Sequence, residues 1–193
     1  MPEEAQRADP SLPGRAAPGR EEVTAEIKES LGANPGQGNG AEGKHLIFKL
    51  AEEEYGLDIL KVKEIIGMMT ITAVPRTPEF VKGVINLRGK VTPVVDLRLK
   101  FGLPAKDYDE RTCIVVMEVS RAGGSVQMGI VVDSVSEVQN IGAGDIEPTP
   151  SFGTSVETEY IRGMAKSEGR VTILLDIDRV LTSQELDGLS GVA

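Results

Sequence analysis

The sequence predicts an all-β protein with a few short helices, built by internal duplication behind a disordered N-terminal arm. Three observations carry this. From His45 onward, short apolar runs alternate with Gly, Pro and charged turns, the punctuation of strands rather than of long helices. A segment ending at Asp96 recurs 80 residues later, ending at Asp176. Residues 1–44 hold five of the 11 prolines, seven of the 22 glycines and no aromatic residue.

The arm comes first. Its large apolar residues are Met1, Leu12, Val23, Ile27 and Leu31, too few to offset the entropy of ordering 44 residues. Glu21 to Leu31 is its one periodic stretch, with Val23, Ile27 and Leu31 spaced by four and Gly32 as a stop. Eleven residues make a marginal helix in isolation, so a transient helix is expected there rather than a docking motif. Gly38-Asn39-Gly40-Ala41-Glu42-Gly43 spells the dinucleotide fingerprint G-x-G-x-x-G. That chemistry needs a strand before the glycines and a helix N-terminus after them. Here a Pro/Gly stretch precedes and a strand-like run follows, so no nucleotide or other cofactor is expected.

Strands are expected over 45–51, 54–59, 62–66, 82–88, 90–95, 112–119, 125–132, 134–139, 159–166 and 169–175. Asp96 follows Val94-Val95 and suits the N-cap of a short helix, Leu97 to Phe101, closed by Gly102 and Pro104. Asp176 follows Leu174-Leu175 and suits the cap of a longer helix toward Leu186, closed by Gly188, with 187–193 a flexible tail.

From Pro78 to Asp96 and from Thr158 to Asp176 the duplication is read without gaps, with a seven-residue insertion between about 139 and 158. Gly83/Gly163, Gly89/Gly169, Val91/Val171, Thr92/Thr172 and Asp96/Asp176 coincide, and Phe80/Tyr160 and Lys82/Arg162 agree in kind. Upstream, at an offset of 73, Tyr55-Gly56-Leu57 parallels Met128-Gly129-Ile130, and Val62-x-Glu64 parallels Val135-x-Glu137. The globular part, 45–186, therefore divides into halves near 45–105 and 112–185. Each is marginal alone, so their apolar faces should pack together and leave a groove at the junction.

Composition excludes several functions. The chain has 193 residues, formal net charge −9, 4% aromatic residues, one Cys and one His. One cysteine makes no internal disulfide, which fits a reducing compartment. Met1-Pro2-Glu3-Glu4 lacks the basic start of a signal peptide. The longest apolar run, Cys113 to Met117, is far short of the roughly 20 residues a spanning helix needs, so a cytoplasmic protein without direct membrane insertion is expected. Acidity and few aromatics argue against nucleic acid as a partner.

Catalytic groups are sparse. His45 stands alone, and Cys113 lies in a buried-strand pattern with no basic sequence neighbour to lower its pKa. Asp176 and Asp178 read as helix capping rather than as metal ligands. No nucleophile elbow, H-E-x-x-H, C-x-x-C or Walker loop is present. A small β-barrel enzyme remains the competing class, with activity dependent on His45 or Cys113 as its signature.

Differences between the halves are informative, because symmetry does not account for them. The first half reads Asn86-Leu87-Arg88-Gly89 where the second reads Lys166-Ser167-Glu168-Gly169. Gly89 suits a positive-φ turn position, which puts Arg88 at a hairpin tip. Such an Arg is a rigidly held reader of carboxylates or amides, or a solvated turn residue. Residues 76–100 set six cations against Glu79 and Asp96, the pattern of either a face for an acidic partner or an ordinary solvated strand face.

Several fragments together resemble the CheW chemotaxis coupling family. They are Phe48-x-Leu50, Tyr55 to Ile65, Pro75-x-x-Pro78-x-Phe80-Val-x-Gly83 and Asn86-Leu-Arg-Gly. Pro93-Val-Val-Asp96-Leu-Arg98, Val131-Val-Asp133-x-Val135 and Ile146-x-Pro148-x-Pro150 continue the match to about residue 186. The resemblance implies two packed SH3-like five-stranded β-barrels and a non-enzymatic adaptor. It implies linkage of chemoreceptor cytoplasmic tips to the regulatory domain of the CheA histidine kinase. It further implies a monomer when free, ring assembly with the kinase, and recruitment to membrane-associated receptor arrays. Carried onto this chain, the receptor-binding groove involves Val62, Glu64, Gly83, Asn86, Arg88 and Val138. Phe152, after the turn-prone Glu147-Pro-Thr-Pro150, is either a kinase contact or a filler of the local core. The chain ends at Ala193, so the receiver domain of CheV-type relatives is not expected. A CheW-like scaffold in a motility or surface-sensing kinase pathway is the alternative.

Overall fold

The computed structural model describes residues 19–32, 42–121, 124–150, 158–167, 169–182 and 184–185. They form helix α1 (Arg20–Gly32), then strands β1 (Gly43–Leu50), β2 (Glu53–Asp58), β3 (Val62–Gly67), β4 (Val81–Leu87) and β5 (Lys90–Asp96). Helix α2 (Leu97–Lys100) leads to β6 (Cys113–Arg121), β7 (Gly124–Val132), β8 (Ser134–Ile141) and the two-residue β9 (Ile146–Glu147). Strands β10 (Ile161–Ser167) and β11 (Arg170–Leu175) and helix α3 (Ile177–Val180) complete them. Each of the ten expected runs is a strand; β9 is too short to show as a run.

The strands make two sheets. One has the order β3-β6-β7-β5-β4, the other β8-β1-β2-β11-β10-β9. Replacing each strand of the first by its duplicate (β3 by β8, β6 by β1, β7 by β2, β5 by β11, β4 by β10) generates the second up to its added edge strand, β9. The registers agree as well. Val94 lies opposite Gly129 in the parallel β5–β7 pair, and Leu174 opposite Gly56 in β11–β2, displaced by the offsets of 80 and 73 seen in sequence. The Asp96 N–H donates to the Phe80 carbonyl, and the Asp176 N–H to the Tyr160 carbonyl, both at 2.8 Å.

Neither sheet belongs to one half of the sequence. The β1–β2 hairpin of the first half completes the sheet of β8, β10 and β11, and the β6–β7 hairpin of the second completes that of β3, β4 and β5. The expected division at about residue 105 is thus one of sequence, while the packed units exchange hairpins. The reason is the parallel partner: no tight turn joins parallel strands, so each hairpin takes that slot beside strands of the other half. Strand β6 is an interior strand, buried on both faces over Cys113 to Met117. Cys113, Val115 and Met117 enter the main core with Leu46, Phe48 and Ile130, while Ile114 and Val116 enter a second cluster with Ile85 and Val131. This is why its sequence is a continuous apolar run instead of an alternation.

Two expectations at the ends are corrected. Within the arm expected to be disordered, α1 is docked: Val23 and Ile27 are 0% and 1% exposed and belong to the main core. Spacing by four puts both on one face, and tertiary burial supplies the stability that so short a helix lacks alone. Residues 1–18, 33–41 and the expected tail 187–193 lie outside the described residues. The helix capped by Asp176 stops at Val180 instead of running toward Leu186, because Leu181 is extended (φ −108°, ψ 137°). Thr182 then starts a new turn with a capping box. Its N–H donates to the Glu185 carboxylate at 2.7 Å, and the Glu185 N–H donates to the Thr182 hydroxyl at 3.3 Å. The Asp96 cap behaves as expected, accepting from the N–H groups of Arg98 and Leu99.

Candidate functional site

The site is built on the β4–β5 hairpin. Leu87 and Lys90 pair across its end, leaving Arg88 (φ 51°) and Gly89 (φ 84°) as a two-residue loop with both φ positive. That backbone matches the right-handed twist of the flanking strands. The Gly89 N–H donates to Asn86 Oδ1 at 2.8 Å, so Asn86 holds the turn from below. Arg88 does not project freely. Its two terminal nitrogens donate to the two carboxylate oxygens of Glu64, at 2.8 and 2.7 Å. This paired geometry is the stronger form of an ion pair, although Arg88 itself is 77% exposed.

Glu64 reaches Arg88 because the chain bends there: β3 carries a register shift between Val62 and Glu64 where it pairs with β6. Around the pair lies a cavity of about 510 Å³ lined by Lys28 of α1, Lys63 and Glu64 of β3, Arg88 and Lys90 of the hairpin, and Glu118, Ser125 and Gln127 of β6–β7. Four cations face two carboxylates. Hydrogen bonds from Lys63 and Ser125 hold the Glu118 carboxyl below its ordinary range, so it is ionised.

The other proposed groove residues divide by depth. Val62 is fully buried in the main core, and Val138 is half-buried against the same core from β8, opposite Leu46. Gly83 (φ 134°) offers no surface: a Cβ there would lie 2.0 Å from the Thr72 carbonyl oxygen. Thr72 and Val84 exchange backbone hydrogen bonds of 2.8 and 2.9 Å at this crossing, so the glycine permits a close approach of two backbone segments. Phe152 lies outside the described residues.

Half of the cations expected to form an acidic-partner face between 76 and 100 have internal partners. Arg88 holds Glu64, Arg98 holds Asp133 at 2.5 Å, and Lys100 holds Glu185 at 2.7 Å. Asp178, read as a capping residue, has a different task. It accepts the Ser120 N–H at 2.7 Å and the Lys61 ammonium at 2.7 Å, tying the chain's end to β6. Asp176 alone caps α3. Cys113 is buried, and burial lowers the pKa of His45, whose Nδ1 donates to the Gly43 carbonyl. Among the described residues no group of three or more His, Cys, Asp or Glu is placed to hold a metal.

Sequence reasoning missed three features of the site. The helix α1 was expected from the four-residue spacing of Val23 and Ile27, but not its docking. The Glu64–Arg88 pair had no local signal, since its members are 24 residues apart. Lys28 and the β6–β7 polar residues enter only through the tertiary fold.

A family model for the CheW-like domain matches residues 44–185. The chain belongs to the CheW family. It is 45% identical over 148 residues to the chemotaxis protein CheW of Klebsiella aerogenes, covering 77% of this chain and 87% of that one. It is 37% identical over 144 residues to the CheW of Rhizobium meliloti, covering 74% and 90%. The crystal structure of the scaffolding protein TtCheW from Thermoanaerobacter tengcongensis superposes with a TM-score of 0.66 at 36% identity, covering 75% of this chain and 95% of that one. The region matched by the family model takes in every strand from β1's second residue onward, whereas α1 lies ahead of it.

Proposed function

We propose that this CheW family member is a non-enzymatic chemotaxis adaptor that couples the cytoplasmic tips of chemoreceptors to the regulatory domain of the CheA histidine kinase. The observation that carries the reading is the family match across the whole two-sheet body, at 45% identity to a chemotaxis CheW. The site chemistry supports it. A surface between β3 and β8, apolar at the half-buried Val138 and polar at Glu64 and Arg88, suits a partner helix that lays aliphatic side chains against the strands. Asn86 and Gly83 act here as supports for Arg88 and for the β4 crossing. The adaptor works in the cytoplasm as a free monomer, joins the kinase in rings, and is recruited to receptor arrays.

Titration of the purified chain against the kinase regulatory domain and against a soluble receptor-tip fragment tests this. Binding to both at tens of micromolar or tighter, an ordinary range for weak assembly contacts, is expected. Binding to neither overturns the reading.

A further inference from the structure

The surface assigned to the receptor is already covered by a helix of the chain itself. α1 packs on β3, β8 and the 3₁₀ turn Ile59–Lys61 that precedes β3. Val23 and Ile27 join the core cluster that contains Val62 and against which Val138 packs. At the polar end, Lys28 of α1 lines the same cavity as Glu64 and Arg88. α1 therefore spans both parts of the groove.

Its buried attachment, among the described side chains, is two aliphatic residues. Among the described side chains of this 13-residue helix, Val23 and Ile27 are buried, while Glu21, Glu22, Ala25, Glu26, Lys28 and Glu29 are exposed. The last turn carries no basic residue to offset the helix dipole. A helix of this length is marginal without its docking site, so undocking and unfolding go together. Residues 33–42, which join it to β1, include three glycines and a proline. It also lies outside the segment that the CheW-like family model matches, so the domain's pattern does not require it.

We propose that α1 is an intramolecular competitor for the β3–β8 groove, an amphipathic stand-in that a receptor helix must displace. This rests on the receptor reading above. The consequence is quantitative: the apparent receptor affinity equals the intrinsic affinity multiplied by the fraction of molecules with α1 undocked. Whatever holds or releases residues 20–32 then sets the strength of coupling without altering the domain.

The test uses the full chain and a soluble receptor-tip fragment. Val23→Asp/Ile27→Asp should bind the fragment about tenfold or more tightly than wild type. In the wild type, amide protection across α1 should be lost as the fragment saturates. Equal or weaker binding by a variant whose strands keep wild-type exchange protection overturns the proposal. So does unchanged α1 protection in wild type with the fragment bound, a measurement that stands even where the variant fails to fold. Absence of fragment binding by both proteins overturns the receptor reading and this inference with it; binding with α1 undisturbed overturns the inference alone.

Discussion

Arg88 and Glu64 join the two edges of one sheet. In the order β3-β6-β7-β5-β4, Glu64 stands on the first strand and Arg88 at the tip of the hairpin formed by the last two, yet two hydrogen bonds of 2.8 and 2.7 Å link them. The Thr72–Val84 bridge sets the segment that follows β3 against β4. The Arg88–Glu64 pair is thus a clasp between the two edges, and it presents a charged, preorganised surface.

Arg88→Glu should separate recognition from stability. With Arg88 77% exposed, loss of the pair costs about 1 kcal/mol or less in thermal or urea unfolding. Receptor-tip binding should weaken about tenfold or more, as expected for an anchoring Arg at an interface. The charge-swapped Arg88→Glu/Glu64→Arg chain should recover the stability but not the binding. Recovery of both would make the clasp structural and remove Arg88 from recognition.

Much of the fold was legible because its cause is local. Alternating apolar runs and Gly-containing turns placed the ten long strands, and Asp96 marked its cap by position alone. The duplication was legible too, since both copies obey the same packing. The exchange of hairpins was not, because sequence periodicity fixes which face of a strand is buried but not which strand lies beside it. The docking of α1 was lost to composition: Pro and Gly around residues 1–44 outweighed two well-spaced aliphatics. Of the site, the Arg88 turn was readable from Gly89, whereas its Glu64 partner and the Lys28 contribution depend on contacts distant in sequence.

Gly83 and Gly163 are duplicates that should respond unequally to alanine. At Gly83 the new Cβ would meet the Thr72 carbonyl oxygen at 2.0 Å, with φ at 134°, and neither backbone segment can yield cheaply. Gly83→Ala should cost about 3 kcal/mol or more, a large value reserved for strained or overpacked sites. At Gly163 the nearest atoms are the Ile146 Cγ2 at 2.9 Å and the Glu147 carbonyl oxygen at 3.0 Å, so the backbone approaches far less closely than at Gly83, and φ lies outside the positive region. Gly163→Ala should cost about half as much or less. Urea midpoints of the two variants against wild type decide the order, and equal losses would show that the Thr72 crossing carries no special strain.

The Arg98–Asp133 and Asp178–Lys61 ion pairs hold equivalent places with the charges reversed. Asp133 accepts the Ala51 N–H at 2.9 Å and binds Arg98 of α2. Asp178 of α3, 80 residues beyond Arg98, accepts the Ser120 N–H and binds Lys61. The Arg98–Asp133 and Lys61–Asp178 pairs each join the two halves. Arg98 and Asp133 are only 12% and 14% exposed, and Lys61 and Asp178 are each 26% exposed. Breaking the drier pair should therefore cost more. Asp133→Ala leaves the Arg98 charge nearly buried and alone, and a loss of about 3 kcal/mol is expected. Lys61→Ala, at the wetter pair, should cost about 1 kcal/mol. Chemical denaturation of both variants at neutral pH provides the comparison.

The single histidine should give the protein a pH-dependent stability near neutrality. His45 is 3% exposed, and burial lowers its folded-state pKa below the ordinary 6.5; the Gly43 carbonyl and Asp58 push the other way, and Arg162 adds to the lowering. With the folded pKa depressed, the unfolded chain binds the proton first as pH falls. Stability is therefore full above 6.5 and declines as pH drops from there through the folded pKa, after which this contribution is flat. The carboxyls of Glu118 and Glu185 are lowered from 4.5. Burial opposes ionisation of Glu185, but hydrogen bonds from Lys100 and the Thr182 N–H outweigh it, so both groups act only in more acidic solution. Between about pH 7 and 5.5 the slope should then belong to His45, the side chain type whose ordinary titration falls in that range. Urea unfolding across this interval should show falling stability in wild type and a flat profile in His45→Gln. An unchanged slope in the variant would assign the effect to another group.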